Sequence, residues 1–150
     1  MAQAQDPTQH PDYPEHRVRT EEEQSFHDHV IELLVERLQQ EGPMEIRTNP
    51  GHLHQNAIVL EEEGEEREFY PDVFAVTGDE VTAICEVETP STTHESSVAQ
   101  WRDYAAIGAT FLLIVPEEEA ETAARLLQEN GIPCQGILTY QLAPVAAEGE

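Results

Sequence analysis

Lysine is absent from this chain: among 150 residues the positive side chains are seven arginines, set against 31 acids, for a formal charge of −24. So negative a molecule repels phosphate, which argues against nonspecific nucleic-acid binding. Cysteine is nearly absent too. Cys85 and Cys134 each sit inside an apolar run, which fits small buried residues better than a disulfide, and no zinc-ligand spacing occurs. No run approaches the ~20 apolar residues of a spanning helix, and the polar first sixteen residues lack the apolar stretch of a signal peptide. The chain is therefore expected to be soluble and cytoplasmic, with no membrane partner.

What is abundant is glutamate, in triplets at 21–23, 61–63 and 117–119. Two physical readings of this acidity stand side by side. At high ionic strength the Debye length falls to roughly 3 Å at 1 M salt, self-repulsion is screened, and the acids serve as a solvation surface. Acid-rich, lysine-free composition is similar to that of proteins from salt-accumulating halophiles. Alternatively the surface imitates nucleic acid or meets a basic protein partner directly.

At this length, with 39% hydrophobic residues, one domain with a sizeable core is expected, over 19–142. Residues 1–18, with Pro7, Pro11 and Pro14, and residues 143–150 are expected to be flexible tails. Thr20 and Glu23 match a capping box, and Phe26, Val30, Ile31, Leu33, Leu34 and Leu38 recur at helical spacing up to Gly42-Pro43. Glu23 and His27 fall within the apolar arc of that helix. Short extended runs follow at 44–48, 57–60, 68–76 and 81–88, punctuated by Asn49-Pro50-Gly51, an acidic hairpin tip around Gly64, and Gly78-Asp79. A helix is predicted over 96–107, an apolar strand over 111–115, a helix over 118–130 and a last strand over 134–140. The order implies an α/β fold with a mixed sheet flanked by helices.

Within this frame the candidate chemistry lies at Tyr70-Pro71-Asp72 and Glu86-Val87-Glu88. Strand alternation puts Glu86 and Glu88 on one face, roughly 7 Å apart at ~3.3 Å per residue. A hairpin at Gly78-Asp79 would bring Asp72 to the same end, so that three carboxylates converge. Hard divalent cations take such oxygen ligands, and a bound cation would offset the repulsion between the carboxylates.

The order Glu23, Pro71-Asp72, Glu86-x-Glu88 resembles the PD-(D/E)xK nuclease superfamily, with its restriction endonuclease-like αβββαβ core, over about residues 20–140. Gln100-Trp101-Arg102-Asp103-Tyr104 looks like the Gln-x-x-x-Tyr motif of its RecB-type members. The resemblance implies a magnesium- or manganese-dependent endonuclease acting on DNA. Asp72 and Glu86 would hold the metal, with Glu23 as an outer ligand, and Gln100 and Tyr104 would contact substrate or support the site. It also implies a possible homodimer or protein partner. Glu88 departs from the pattern, standing where the family usually has lysine. It would act as general base or further ligand, or else mark a catalytically inactive, interaction-only member of the fold.

Each residue also has a plainer role. Glu23 serves the capping box without any metal, His27 fits a hydrogen-bonded core histidine, and Trp101 fits the packed face of an amphipathic helix. His52, His54 and His94 lie in predicted loops and are expected in solvent. Glu86, in a strand buried on at least one face, needs hydrogen bonds, a cation or a metal to offset its desolvation.

Overall fold

A computed structural model describes residues 19–42, 44–51 and 54–141. The predicted tails, Pro43 and His52 lie outside the described residues.

Helix α1 spans Glu21–Gln39 and begins as its sequence dictates. Thr20 Oγ1 accepts the Glu23 N–H at 3.0 Å, and Glu23 Oε1 accepts the Thr20 N–H at 3.2 Å, satisfying two free helix-end donors at once. Three glutamates in the first turn complement the helix dipole. His27, Val30, Ile31, Leu34 and Leu38 form the buried stripe.

The strands are β1 (Glu45–Thr48), β2 (Ile58–Glu62), β3 (Glu65–Phe69), β4 (Val73–Thr77), β5 (Glu80–Val87), β6 (Thr110–Pro116) and β7 (Gly136–Tyr140). Helices α2 (Val98–Ala105) and α3 (Ala120–Glu129) frame β6. One five-stranded sheet runs β1-β4-β5-β6-β7. Its β1/β4 and β4/β5 pairs are antiparallel, and β5/β6 and β6/β7 are parallel. The β4–β5 hairpin pairs Thr77 with Glu80 across Gly78-Asp79, where Gly78 takes φ +65°, a conformation that costs a glycine little.

The region expected as one extended run over 68–76 is in fact two strands of different sheets. Pro71 offers no N–H, and the chain turns at Tyr70-Pro71-Asp72 from β3 into β4. β2 and β3 form their own two-stranded sheet around Glu63 and Gly64, both at positive φ (52° and 82°), the pattern of a tight primed turn.

Apolar side chains divide between the two faces of the large sheet. On one, α1 packs Val30, Ile31, Leu34 and Leu38 against Val73, Cys85, Val87 and Ile114. On the other, Trp101 and Tyr104 of α2 and Ala123, Leu126 and Leu127 of α3 cover Phe74, Ile84, Leu113 and Val115. The result is a mixed α/β fold of three layers. At ~1.5–3 kcal/mol per buried large apolar side chain, this double core is the main support of the sheet. β6, buried on both faces, reads in sequence as an unbroken apolar run for that reason.

Candidate functional site

The carboxylates singled out in the sequence gather where β4 begins and β5 ends. Asp72 precedes β4, Glu86 lies in β5 and Glu88 follows it; all three are buried, at 5%, 3% and 0% exposure. Their side chains are turned onto the protein itself. Glu86 Oε2 accepts the backbone N–H of Asp72 at 2.8 Å, and Asp72 Oδ2 accepts the backbone N–H of Val87 at 2.8 Å. Each acid thus caps a backbone donor beside the other, closing the mouth of the β4–β5 pair where the ladder ends.

The remaining oxygen of Asp72 meets α1. His27 Nε2 lies 3.0 Å from Asp72 Oδ1, an ion pair when the imidazole is protonated. On its other side His27 Nδ1 lies 3.0 Å from Asp28 Oδ1. Burial by itself would lower the His27 pKa, but the charge of Asp72 and the hydrogen bonds of Asp28 and Asp72 outweigh it and the pKa rises. Asp72 shifts the opposite way: burial would raise its pKa, but the His27 charge and hydrogen bond, the field of Arg19 and the Val87 N–H together lower it. Both directions describe one ion pair, imidazolium with carboxylate.

Glu88 faces α2. Trp101 Nε1–H donates to Glu88 Oε2 at 2.8 Å, while Glu88 Oε1 has no hydrogen-bond partner among the described residues. Burial pushes the Glu88 pKa up to about 7 against the lowering effects of Arg19, Trp101 and Thr92. Tyr140 donates its hydroxyl to the Glu88 carbonyl, tying β7 to the same point.

Glu23 stays with its cap and adds a tether, accepting from both the N–H and the hydroxyl of Ser91. Its carboxylate serves the join between α1 and the loop after β5. Gln100 and Tyr104 do share a helix face, with Gln100 Nε2 3.5 Å from the Tyr104 hydroxyl. Both are buried in the α2 layer, at 3% and 1% exposure, and Tyr104 packs edge-on against Phe69 at 6.0 Å.

The expected magnesium or manganese site is therefore corrected. Among the described residues no group of three or more His, Cys, Asp or Glu side chains could hold a metal ion. The physical reason is orientation. A hard cation needs several oxygens aimed at one point, whereas Asp72, Glu86 and Glu23 aim theirs at separate backbone and hydroxyl donors. Asp72, Glu86 and Glu23 are accordingly not a ligand set.

Sequence reasoning missed three parts of this cluster. Arg19, just before α1, places its Nη2 3.5 Å from the Val87 carbonyl, and its charge acts on Asp72 and Glu88. Asn49 joins the loop after β1 to the Pro71-Asp72 turn. Its Nδ2 donates to the carbonyls of Asn56 and Pro71 (2.8 and 2.7 Å), and its Oδ1 accepts from Gln55 and Asn56 (2.8 and 2.7 Å). Asp28 Oδ1 accepts the Gly51 N–H at 2.9 Å from the same loop. Asn49-Pro50-Gly51 looked like turn punctuation alone; nothing in its pattern indicated a buried amide with four hydrogen bonds.

Trp101 has no exposure at all, as its packed reading expected. His94 is exposed and caps the short turn before α2, accepting the Ser96 N–H. His54 is half-buried rather than solvated, stacked on Tyr70 at 4.6 Å.

The chain matches no family model, no curated protein and no solved structure at significance. No helix among the described residues is long and apolar enough to cross a membrane.

Proposed function

We propose that this chain is a noncatalytic interaction module built on a restriction endonuclease-like arrangement, with its acidic positions given over to holding the fold. The supporting observation is the reciprocal capping of Asp72 and Glu86, each occupied by a backbone N–H at 2.8 Å. A nuclease of the expected type needs these oxygens free for a cation and a polarised phosphate. Here they satisfy buried donors, and Asp72 neutralises a buried histidine as well.

Charge supports the same reading. A net −24 opposes the phosphate backbone, whose binding depends on cationic side chains displacing counterions. Partners of this module are proteins rather than DNA.

Calorimetric titration with Mg²⁺ and Mn²⁺, followed by cleavage assays on single- and double-stranded DNA from low to molar salt, tests the proposal. The expected result is neither metal binding nor cleavage. Metal-dependent cleavage lost in Asp72→Asn would overturn it.

A further inference from the structure

The two edges of the five-stranded sheet are unlike each other. β1, at one edge, is four residues long and carries Glu45 and Arg47, joined at 2.8 Å. Charges and shortness are the usual protection of an edge strand against pairing with another chain. β7, at the other edge, is Gly136-Ile137-Leu138-Thr139-Tyr140, with no charge, proline or register shift. It lies in the longest stretch of the chain without an acidic or basic residue, from Asn130 to Ala147. In a chain so rich in glutamate, this is the segment a second copy could approach with least local repulsion.

The backbone of β7 is also self-complementary. The neighbouring strand β6 turns its Ile114 carbonyl to β5, where it accepts the Glu88 N–H at 2.8 Å. In a parallel ladder alternate residues point both backbone groups at the same neighbour. Leu112, Ile114 and Pro116 therefore face β5, and Phe111, Leu113 and Val115 face β7; in the observed register these bond Gly136, Leu138 and Tyr140, which leaves the N–H and C=O groups of Ile137 and Thr139 on the open side, where no described strand pairs. Leu138, the middle residue of β7, lies between those two outward-facing residues. A two-fold axis beside it would pair Ile137 of each copy with Thr139 of the other, each as a hydrogen-bonded antiparallel pair exchanging two bonds, with Leu138 opposite Leu138 as the non-hydrogen-bonded pair between them. An isologous contact requires such a match of a patch with itself. Leu138, 37% exposed, would meet its counterpart directly across the axis and lose that exposure.

From this self-matching register and absence of charge, we infer that β7 is a homodimerisation edge: two copies join antiparallel through residues 136–140 into one continuous ten-stranded sheet. The inference is independent of the proposed lack of catalysis. Because each copy carries −24, association strengthens as salt rises and screens the rest of the two surfaces.

Light scattering on the full chain, at low salt and at about 1 M salt, gives the first reading. The expected mass at high salt is twice the chain mass of 16.8 kDa. Leu138→Lys places like charges on the axis and is expected to weaken the dimer by about tenfold or more, with an unchanged circular dichroism spectrum. Leu138→Cys supplies a second reading that leaves the backbone pairing intact. The two residues of a non-hydrogen-bonded pair lie about 4.5 Å apart at Cα, within disulfide range, so oxidation should give a covalent dimer that the parent does not form. A monomer at molar salt would overturn the inference. So would a dimer that Leu138→Lys leaves unchanged, or a dimer that Leu138→Cys fails to cross-link.

Discussion

Glu86 receives the backbone N–H of Asp72 in its carboxylate, and Asp72 receives the backbone N–H of the residue after Glu86, both at 2.8 Å. The two acids therefore work as a clasp across the β4–β5 pair, and removing either leaves a buried N–H without a partner. Since the unpaired group carries most of the penalty, the loss should exceed the net worth of an ordinary hydrogen bond.

Glu86→Ala tests the clasp from the side away from His27. It orphans the Asp72 N–H without touching the His27 ion pair, so a destabilisation of about 1–3 kcal/mol is expected in urea unfolding. A variant within about 0.5 kcal/mol of the parent, the range of an ordinary surface change, would remove the clasp from the account.

His27 extends the clasp to α1. His27→Ala leaves the buried Asp72 charge without its closest cation, and about 3–5 kcal/mol of destabilisation is expected for breaking such a pair. A double-mutant cycle between positions 27 and 72 should show strong coupling. Additive losses would mean that the imidazole acts only as packing.

Stability should decline as pH rises through the neutral range. The folded chain holds a proton on Glu88 more tightly than the unfolded chain does. That contribution is complete below about pH 4.5 and lost as pH rises through about 7. His27 adds a loss in the same direction, full below its ordinary pKa of 6.5 and gone above its raised folded value. Asp72 acts oppositely, losing its contribution in acid as pH falls through its lowered folded pKa, below 3.8. Melting temperatures between pH 4 and 9 should peak on the mildly acidic side, and Glu88→Gln should flatten the decline between about pH 4.5 and 7. An unchanged slope in that variant would assign the titration to other groups.

Trp101→Phe keeps the ring in the core but removes the indole donor to Glu88. A loss of about 1–3 kcal/mol is expected, with a smaller loss when Glu88 is already leucine. Equal losses in both backgrounds would show that the 2.8 Å contact contributes no specific energy.

Much of the framework was legible because local chemistry decides it. The Thr20/Glu23 cap starts α1, Gly78 permits the β4–β5 hairpin, and the apolar run of β6 marks a strand covered on both sides. The clustering of Asp72 and Glu86 also followed from strand pairing. What their oxygens do was not legible. A Pro-Asp followed by Glu-x-Glu is the same string whether the carboxylates open toward a cation or close onto neighbouring N–H groups. Rotamers and the backbone opposite choose between these, and both are tertiary. Arg19 and Asn49 escaped notice similarly, one as a tail-proximal charge and the other as a turn residue, because their partners come from distant segments.

The sign of the stability change in Asp72→Ala tests the central claim most directly, measured by chemical unfolding with and without millimolar Mg²⁺. Carboxylates arranged to hold a cation repel one another when it is absent, so deleting one relieves the metal-free fold, while the cation stabilises the parent by mass action. A carboxylate that clasps a backbone N–H and neutralises a buried histidine behaves oppositely. The account predicts that Asp72→Ala loses about 3–5 kcal/mol and that Mg²⁺ leaves the parent unchanged. A variant as stable as the parent or more so, together with a parent that Mg²⁺ stabilises, would contradict it.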